Sequence, residues 1–106
     1  MNEHCIVLVT AATPSEAEKI AEHLLDKRLA ACCNIISDIH SLFHWQGGIG
    51  SEKEVLMILK TRVELFDTLK ETVLKYHSYD TPEIIALPVI AGTQEYLDWI
   101  DKETSE

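Results

Sequence analysis

The sequence predicts an α+β domain whose elements follow the order β-α-β-β-α-β. Three short apolar runs are typical of strands, and two segments repeat apolar residues at helical spacing. A fourth segment alternates polar and apolar residues, as a half-exposed strand does. The chain has 106 residues, 46% of them hydrophobic, so we expect residues 1–106 to form a single domain with one packed core.

The first strand and the first helix have local signals. Residues 5–9 form a continuous apolar run rich in β-branched side chains, typical of a strand buried on both faces. Thr13, Pro14 and Glu16 fit a helix start, with Thr13 as N-cap and Glu16 in a capping box. The helix is predicted to run to about Arg28. Its apolar face consists of Ala17, Ile20, Ala21, Leu24 and Leu25.

A long half-exposed strand with a bulge is predicted over residues 33–45. We expect one of its faces to carry Ile35, Ile39, Phe43 and Trp45. We expect the other to carry Asn34, Asp38, His40 and His44. Gln46-Gly47-Gly48 predicts a hairpin turn, and residues 54–60 predict an interior strand.

The second half of the chain predicts a helix, an edge strand and a short closing helix. Helical spacing predicts the second helix over residues 63–75. Its apolar positions are Phe66, Leu69, Val73 and Tyr76. Residues 84–90 predict the last strand, and Pro88 inside it favours a sheet edge because proline cannot donate to the ladder. The closing helix is predicted over residues 94–102.

Two β-α-β units in this order give the ferredoxin-like sandwich, with both helices on one face of an antiparallel sheet. Strands one and three are then central, and strands two and four lie at the edges. Both central strands are apolar on both faces, and the closing helix is too short to cover the second face. A large exposed apolar face is a liability, so we expect a closed homo-oligomer with twofold or threefold symmetry.

The composition excludes several classes of partner. The formal net charge of −9 argues against binding nucleic acid or anionic membrane surfaces. No apolar run approaches the ~20 residues that a membrane span needs. The N-terminus lacks the features of a signal peptide, so we expect a cytoplasmic protein. Three cysteines, at 5, 32 and 33, argue against a disulfide framework.

Six blocks of the sequence resemble one family in order and spacing. The blocks are residues 9–10, 28–34, 45–47 with Ser41, 57–61 with Glu54, 77–84 and 96–100. They resemble the CutA, or divalent-cation tolerance, proteins. The resemblance implies a ferredoxin-like subunit in a tight homotrimer, with edge strands extending the sheets between subunits. It also implies an association with copper and other divalent cations.

His77 is the candidate metal ligand, because it matches the loop histidine of the family. It lies after the second helix in a polar loop, and imidazole with carboxylate suits Cu(II), Ni(II) or Zn(II). We expect weak binding by His77 with Glu83 or Asp80. The alternative is a histidine favoured by the helix C-terminus. Val9 and Tyr76 occupy positions where some copper-binding members carry a Cys and a His.

A cleft between subunits is the second candidate site. Its expected lining is Cys33, Trp45, Lys60, His77, Tyr79 and Glu83. His40 and His44 are about 13 Å apart on one strand, so surface positions are the better interpretation unless symmetry brings copies together. The sequence shows none of the common catalytic motifs, so we expect neither an enzyme nor an organic cofactor.

Three functions remain open from the sequence. The first is a trimeric protein that binds Cu(II) or another divalent cation weakly and takes part in the response to metal ions. The second is a sensor or regulatory trimer of the PII type, which binds a small molecule in clefts between its subunits. The third is a passive scaffold without a ligand.

Overall fold

The structure is a computed structural model and describes residues 3–105. Seven helices and strands follow one another in the predicted order. Their bounds are β1 (His4–Ala11), α1 (Pro14–Asp26), β2 (Cys32–Trp45), β3 (Gly48–Arg62), α2 (Phe66–Tyr76), β4 (Ile84–Pro88) and α3 (Gln94–Glu103). None of the helices within residues 3–105 is long and apolar enough to cross a membrane.

The four strands form one antiparallel sheet in the order β2-β3-β1-β4. The central strands are therefore β1 and β3, and the edges are β2 and β4, as predicted. Pro88 pairs with Cys5 on the edge strand β4. Within the described residues, the outer side of β4 has no neighbouring strand in the sheet, so the missing N–H of Pro88 removes no hydrogen bond there. This α+β topology confirms the split β-α-β arrangement expected from the sequence.

The main core lies between the sheet and helices α1 and α2. Alternate residues of β1 and β3 point to this side of the sheet, which we call the helix side, and are almost fully buried. They are Cys5, Val7, Val9, Ala11, Val55, Met57, Leu59 and Thr61. The helices complete the core with Ala17, Ile20, Leu24, Leu69 and Val73.

The opposite side of the sheet, which we call the open face, is also apolar. Its central residues are Ile6 and Leu8 of β1, with Leu56 and Ile58 of β3. Toward the edges it carries Ile36 of β2, and Ile85 and Leu87 of β4, all about half exposed. The expectation that the central strands are apolar on both faces is confirmed.

Helix α3 covers only the end of the open face where β1 begins and β3 ends. Ile100 is buried there, and the Asp101 carboxylate lies 2.8 Å from Nε2 of His4. The Arg62 guanidinium donates to the hydroxyl and the carbonyl of Thr104, at 2.8 and 2.9 Å. The closing helix is too short to cover the rest, as the sequence predicted.

The faces of β2 differ from the prediction, and the predicted bulge is the reason. The register shifts between Ile36 and Ile39, and Asp38 has a φ of 61°. Because one extra residue enters the strand there, the alternation reverses after it. Ile35 pairs with Met57 on the helix side, whereas Ile39, Phe43 and Trp45 lie on the open face. Likewise Asn34 lies on the open face, whereas His40 and His44 lie on the helix side.

The hairpin and the first helix also end differently from the prediction. Strand β3 begins at Gly48, so the turn consists of Gln46 and Gly47 alone, with φ of 48° and 80° as a type I′ turn requires. Helix α1 ends at Asp26 rather than near Arg28, because Arg28 adopts the left-handed conformation with a φ of 56°.

The remaining elements differ from the prediction at their ends. A short 3-10 turn occupies Val63–Leu65, so α2 itself runs over Phe66–Tyr76. Strand β4 stops at Pro88, although the Val89 N–H still donates to the His4 carbonyl at 3.0 Å.

Candidate functional site

His77 lies where α2 enters the loop to β4, and its side chain is completely buried. Nε2 lies 2.7 Å from the carbonyl oxygen of Thr10, and Nδ1 accepts the backbone N–H of Tyr79 at 3.0 Å. A carbonyl only accepts and an N–H only donates. The two contacts therefore require a neutral imidazole with its proton on Nε2, and they occupy both ring nitrogens.

Glu16 is the carboxylate beside His77, and the sequence did not single it out as a site residue. Its Oε1 accepts the Ala12 N–H at 3.0 Å, and its Oε2 accepts the Ser78 N–H at 2.8 Å. Oε2 also lies 4.0 Å from Nδ1 of His77. Burial alone would raise the pKa of the Glu16 carboxyl. Hydrogen bonds from Ser78 and Ala12 outweigh burial and lower that pKa.

Tyr79 extends the same group toward the sheet. Its hydroxyl donates to Oε2 of Glu54 on β3 at 2.8 Å, and its ring centroid lies 4.8 Å from that of His77. Burial, the hydrogen bond to Glu54 and nearby carboxylates raise the pKa of Tyr79 to about 12. We call Thr10, Glu16, Glu54, His77 and Tyr79 the loop anchor. They attach the segment after α2 to the end of β1, the start of α1 and β3.

Only some of the six residues expected to line a cleft lie together in one chain. His77 and Tyr79 are neighbours, but Glu83 is exposed on the loop and Trp45 is 62% exposed at the end of the hairpin. Lys60 lies about 20 Å along β3 from Glu54. A shared cleft would have to bring residues of different copies together, as the prediction of an inter-subunit cleft requires.

Lys60 and the two adjacent cysteines form a separate group at the start of β2. The Lys60 ammonium donates to the side-chain carbonyl of Asn34 on the open face and lies 3.9 Å from Sγ of Cys32. Cys33 points to the helix side, where burial raises the pKa of its thiol to about 11, with Cys32 adding to the effect and Lys60 opposing it. A thiol with this pKa stays protonated near neutral pH, which disfavours it as a soft ligand.

The structure shows what metal binding by His77 would require. Within residues 3–105, no three His, Cys, Asp or Glu side chains lie together in a way that could hold a metal ion. Asp80 and Glu83 are exposed, and the carboxylate in contact with the His77 ring is that of Glu16. A metal on Nδ1 would displace the N–H of Tyr79. The role of His77 as a ligand stays a prediction.

His40 and His44 lie on the projecting hairpin and are exposed. Nε2 of His40 is 2.6 Å from the Ser51 hydroxyl, and His44 pairs with Ile49 across the hairpin. Both point to the helix side of the sheet, and both are surface residues, as the sequence predicted.

Comparison with known proteins identifies the family. A family model described as CutA1 divalent ion tolerance protein matches residues 5–103. The divalent-cation tolerance protein CutA of Thermus thermophilus is 42% identical over 99 residues, which are 93% of this chain and 96% of that protein. The protein of the same description from Archaeoglobus fulgidus is 48% identical over 99 residues, again 93% of this chain and 96% of that protein.

A solved structure agrees with the sequence matches. It is described as the periplasmic divalent cation tolerance protein CutA from Archaeoglobus fulgidus. It superposes with a TM-score of 0.94 at 46% identity, covering 96% of this chain and 99% of that one. The resemblance noted in the sequence is thereby confirmed, and this chain belongs to the CutA1 divalent ion tolerance protein family.

Proposed function

We propose that this chain acts as a homotrimer in the response to divalent cations, without catalysis, and that it binds Cu(II) or a similar cation weakly. The observation that carries the proposal is the open face of the sheet. Apolar side chains cross it on all four strands, and helix α3 covers only one end. An apolar face of this extent is stabilised when copies of the chain pack against it.

The open face is the reason to propose self-association, and a different observation is the reason to propose three copies. The exposed apolar side chains support only the proposal that copies of the chain cover the open face. The family resemblance favours three copies, with edge strands of neighbouring subunits meeting. Both edge strands, β2 and β4, contribute half-exposed apolar residues at 45–48% exposure, namely Ile36, Ile85 and Leu87. Contacts at both edges suit a closed ring, in which each subunit touches two others.

Sedimentation equilibrium at micromolar concentration tests the assembly. We expect a mass about three times the 12.0 kDa of the subunit. Because the interface is buried on folding, the melting temperature should also rise with protein concentration. A monomer would overturn the self-association, and a dimer would overturn the threefold assembly alone.

The geometry of His77 supports weak rather than tight cation binding. The lone pair of Nδ1 already accepts the Tyr79 N–H, so a metal must first break that hydrogen bond. Glu16 is held by two N–H groups and would have to share its charge with the metal. Protons compete with metals for imidazole, so affinity should fall in acid. We propose micromolar to millimolar affinity, with little preference beyond the usual order of divalent metals.

Copper titration of variants tests the loop site. His77→Ala should lose binding measured by calorimetry near neutral pH, and the His40→Ala/His44→Ala double variant should keep it. Because His77→Ala also removes contacts to Thr10 and Tyr79, the native protein supplies a second measurement. Paramagnetic Cu(II) should broaden the amide signals of Ser78 and Tyr79 before those of the hairpin. Loss of binding only in the double variant, with broadening at the hairpin, would place the site there instead.

A small-molecule sensor is the alternative function. It is favoured by Lys60 and Asn34, which put a cation and an amide on the open face, where copies are proposed to meet. Titration with common metabolites separates the two functions, because the sensor should bind an organic ligand with metals chelated. A folded trimer that binds neither metals nor metabolites would favour the third possibility, a passive scaffold.

The cytoplasmic location predicted from the sequence belongs to this proposal. One relative of known structure is described as periplasmic, so the compartment has to be tested. Fractionation of the source cells, followed by immunodetection, should recover the protein with cytosolic markers. Recovery with a periplasmic marker would contradict the proposed location.

A further inference from the structure

Two lysines converge on one aromatic ring of the helix layer. Nζ of Lys27, at the end of α1, lies 5.9 Å from the ring centroid of Tyr76, and Nζ of Lys75 lies 5.3 Å from it. Positive charge is scarce in this chain, which has 9 Lys and Arg against 18 Asp and Glu. Even so, neither of these ammonium groups forms an ion pair within residues 3–105.

Tyr76 is held in place by a second ring. His23 of α1 stacks on it with a centroid separation of 3.8 Å and an interplanar angle of 6°. This stack closes one face of the Tyr76 ring and fixes α1 against α2. Lys19, His23 and Lys27 are spaced four apart, so they lie along one side of α1. Lys19 and Lys27 therefore lie on the side of α1 that meets α2.

The helix dipole and cation–π attraction account for part of this arrangement. A lysine at a helix C-terminus is favoured by the dipole, and Lys27 and Lys75 both lie at such ends. Each ammonium is also attracted to the ring. The repulsion between the two ammonium groups opposes both effects, and an anion placed between them would relieve it.

We propose that Lys27 and Lys75, positioned by the Tyr76 ring, bind the phosphate group of a small molecule. Ammonium groups only donate hydrogen bonds, and a phosphate offers several oxygens that accept from both at once. A long polyanion such as nucleic acid is repelled by the net charge of −9. A small anion at this site is shielded from charges farther away than a Debye length, about 8 Å at physiological salt.

This site is separate from the proposed assembly. Helices α1 and α2 lie on the helix side of the sheet, and the copies are proposed to pack against the open face. The phosphate site therefore stays accessible in the oligomer, and it does not depend on the proposed response to metals.

Titration of the native protein with pyrophosphate, followed by amide NMR, tests the site. We expect saturable shifts at His23, Lys27, Lys75 and Tyr76. The Lys27→Ala/Lys75→Ala variant should bind about tenfold more weakly or worse, because it loses two charge-assisted hydrogen bonds. The matched control is Lys53→Ala/Lys102→Ala, which removes the same charge from exposed lysines of β3 and α3.

Three outcomes would overturn the proposal. The first is a titration without saturation at these amides. The second is equal weakening in the two double variants, which would reduce the effect to overall charge. The third is a glutamate-rich hexapeptide that shifts the same amides at lower concentration than pyrophosphate, which would assign the lysines to an acidic protein partner.

Discussion

Glu16 serves two parts of the chain at once. Its own N–H donates to the Thr13 hydroxyl at 3.1 Å, as the predicted capping box requires. One oxygen of its carboxylate accepts the Ala12 N–H, and the other accepts the Ser78 N–H, although Ser78 is 62 residues away in sequence. One side chain therefore starts α1 and fastens the loop that follows α2.

Glu16→Gln should weaken both attachments. The amide keeps one accepting oxygen, so one of the two N–H groups loses its partner, and we expect a loss of about 1–2 kcal/mol in the free energy of unfolding. Urea denaturation at neutral pH measures the change. Glu18→Gln is the matched control, since Glu18 is exposed in the same helix and should change stability little. Equal effects in the two variants would contradict the role of Glu16.

The same residue should make the protein sensitive to acid. Because folding lowers the pKa of Glu16, its ionised form stabilises the fold above the ordinary value of 4.5. That stabilisation is lost as the pH falls through the lower pKa of the folded state. The difference in stability between wild type and Glu16→Gln should therefore shrink below about pH 4.5.

Strand β2 shows how a single backbone conformation decides which side chains reach the open face. Asp38 has a φ of 61°, in the left-handed region that short polar residues and glycine tolerate. It lies in the bulge that places Ile39, Phe43 and Trp45 on the open face. The side chain of Asp38 itself is exposed, so its backbone matters more than its contacts.

Asp38→Val should therefore destabilise the protein by about 1–2 kcal/mol, because a β-branched residue is strained at positive φ. Asp38→Gly, which relieves that strain, is the control and should stay within about 1 kcal/mol of the wild type. Chemical denaturation of both variants gives the comparison. If valine were tolerated as well as glycine, the bulge would not depend on this conformation.

The sequence was a good guide to elements whose signals are local and a poor one where distant residues decide. Helix α1 began at its predicted cap, and Pro88 was correctly placed on an edge. The polar start of β3 was missed, because residues after Gly48 are held by pairing with β2 rather than by burial. Glu16 was recognised as a capping residue, but nothing in its surroundings indicated the loop at Ser78.

At the scale of the whole molecule, the two faces of the sheet have different surroundings. Ile84 and Ile85 are adjacent residues of the same type on β4, and they point to opposite faces. Ile84 packs against the core between sheet and helices, whereas Ile85 lies on the open face and is 48% exposed. If copies pack on the open face as proposed, Ile84 serves folding of the subunit and Ile85 serves association.

Ile85→Glu should leave a folded subunit that no longer associates, because the new charge would be buried only in the oligomer. Ile84→Glu should cost about 3 kcal/mol or more, because it places a charge against the core of the subunit itself. Circular dichroism reports folding, and sedimentation equilibrium reports assembly. An Ile85→Glu protein that sediments like the wild type would show that the open face is not the contact between copies.

The place of β1 between β3 and β4 has a consequence for synthesis. β1 is made first, but its register pairs Cys5 with Thr61 on one side and with Pro88 on the other. Neighbouring strands β2 and β3 can pair as soon as they emerge, whereas β1 has to wait for partners that are made later. Contacts between distant parts of a chain form slowly, and unpaired apolar strands favour aggregation in the meantime. The nascent chain is therefore most in need of protection, by a chaperone or by the ribosome itself, between the emergence of β1 and that of β4.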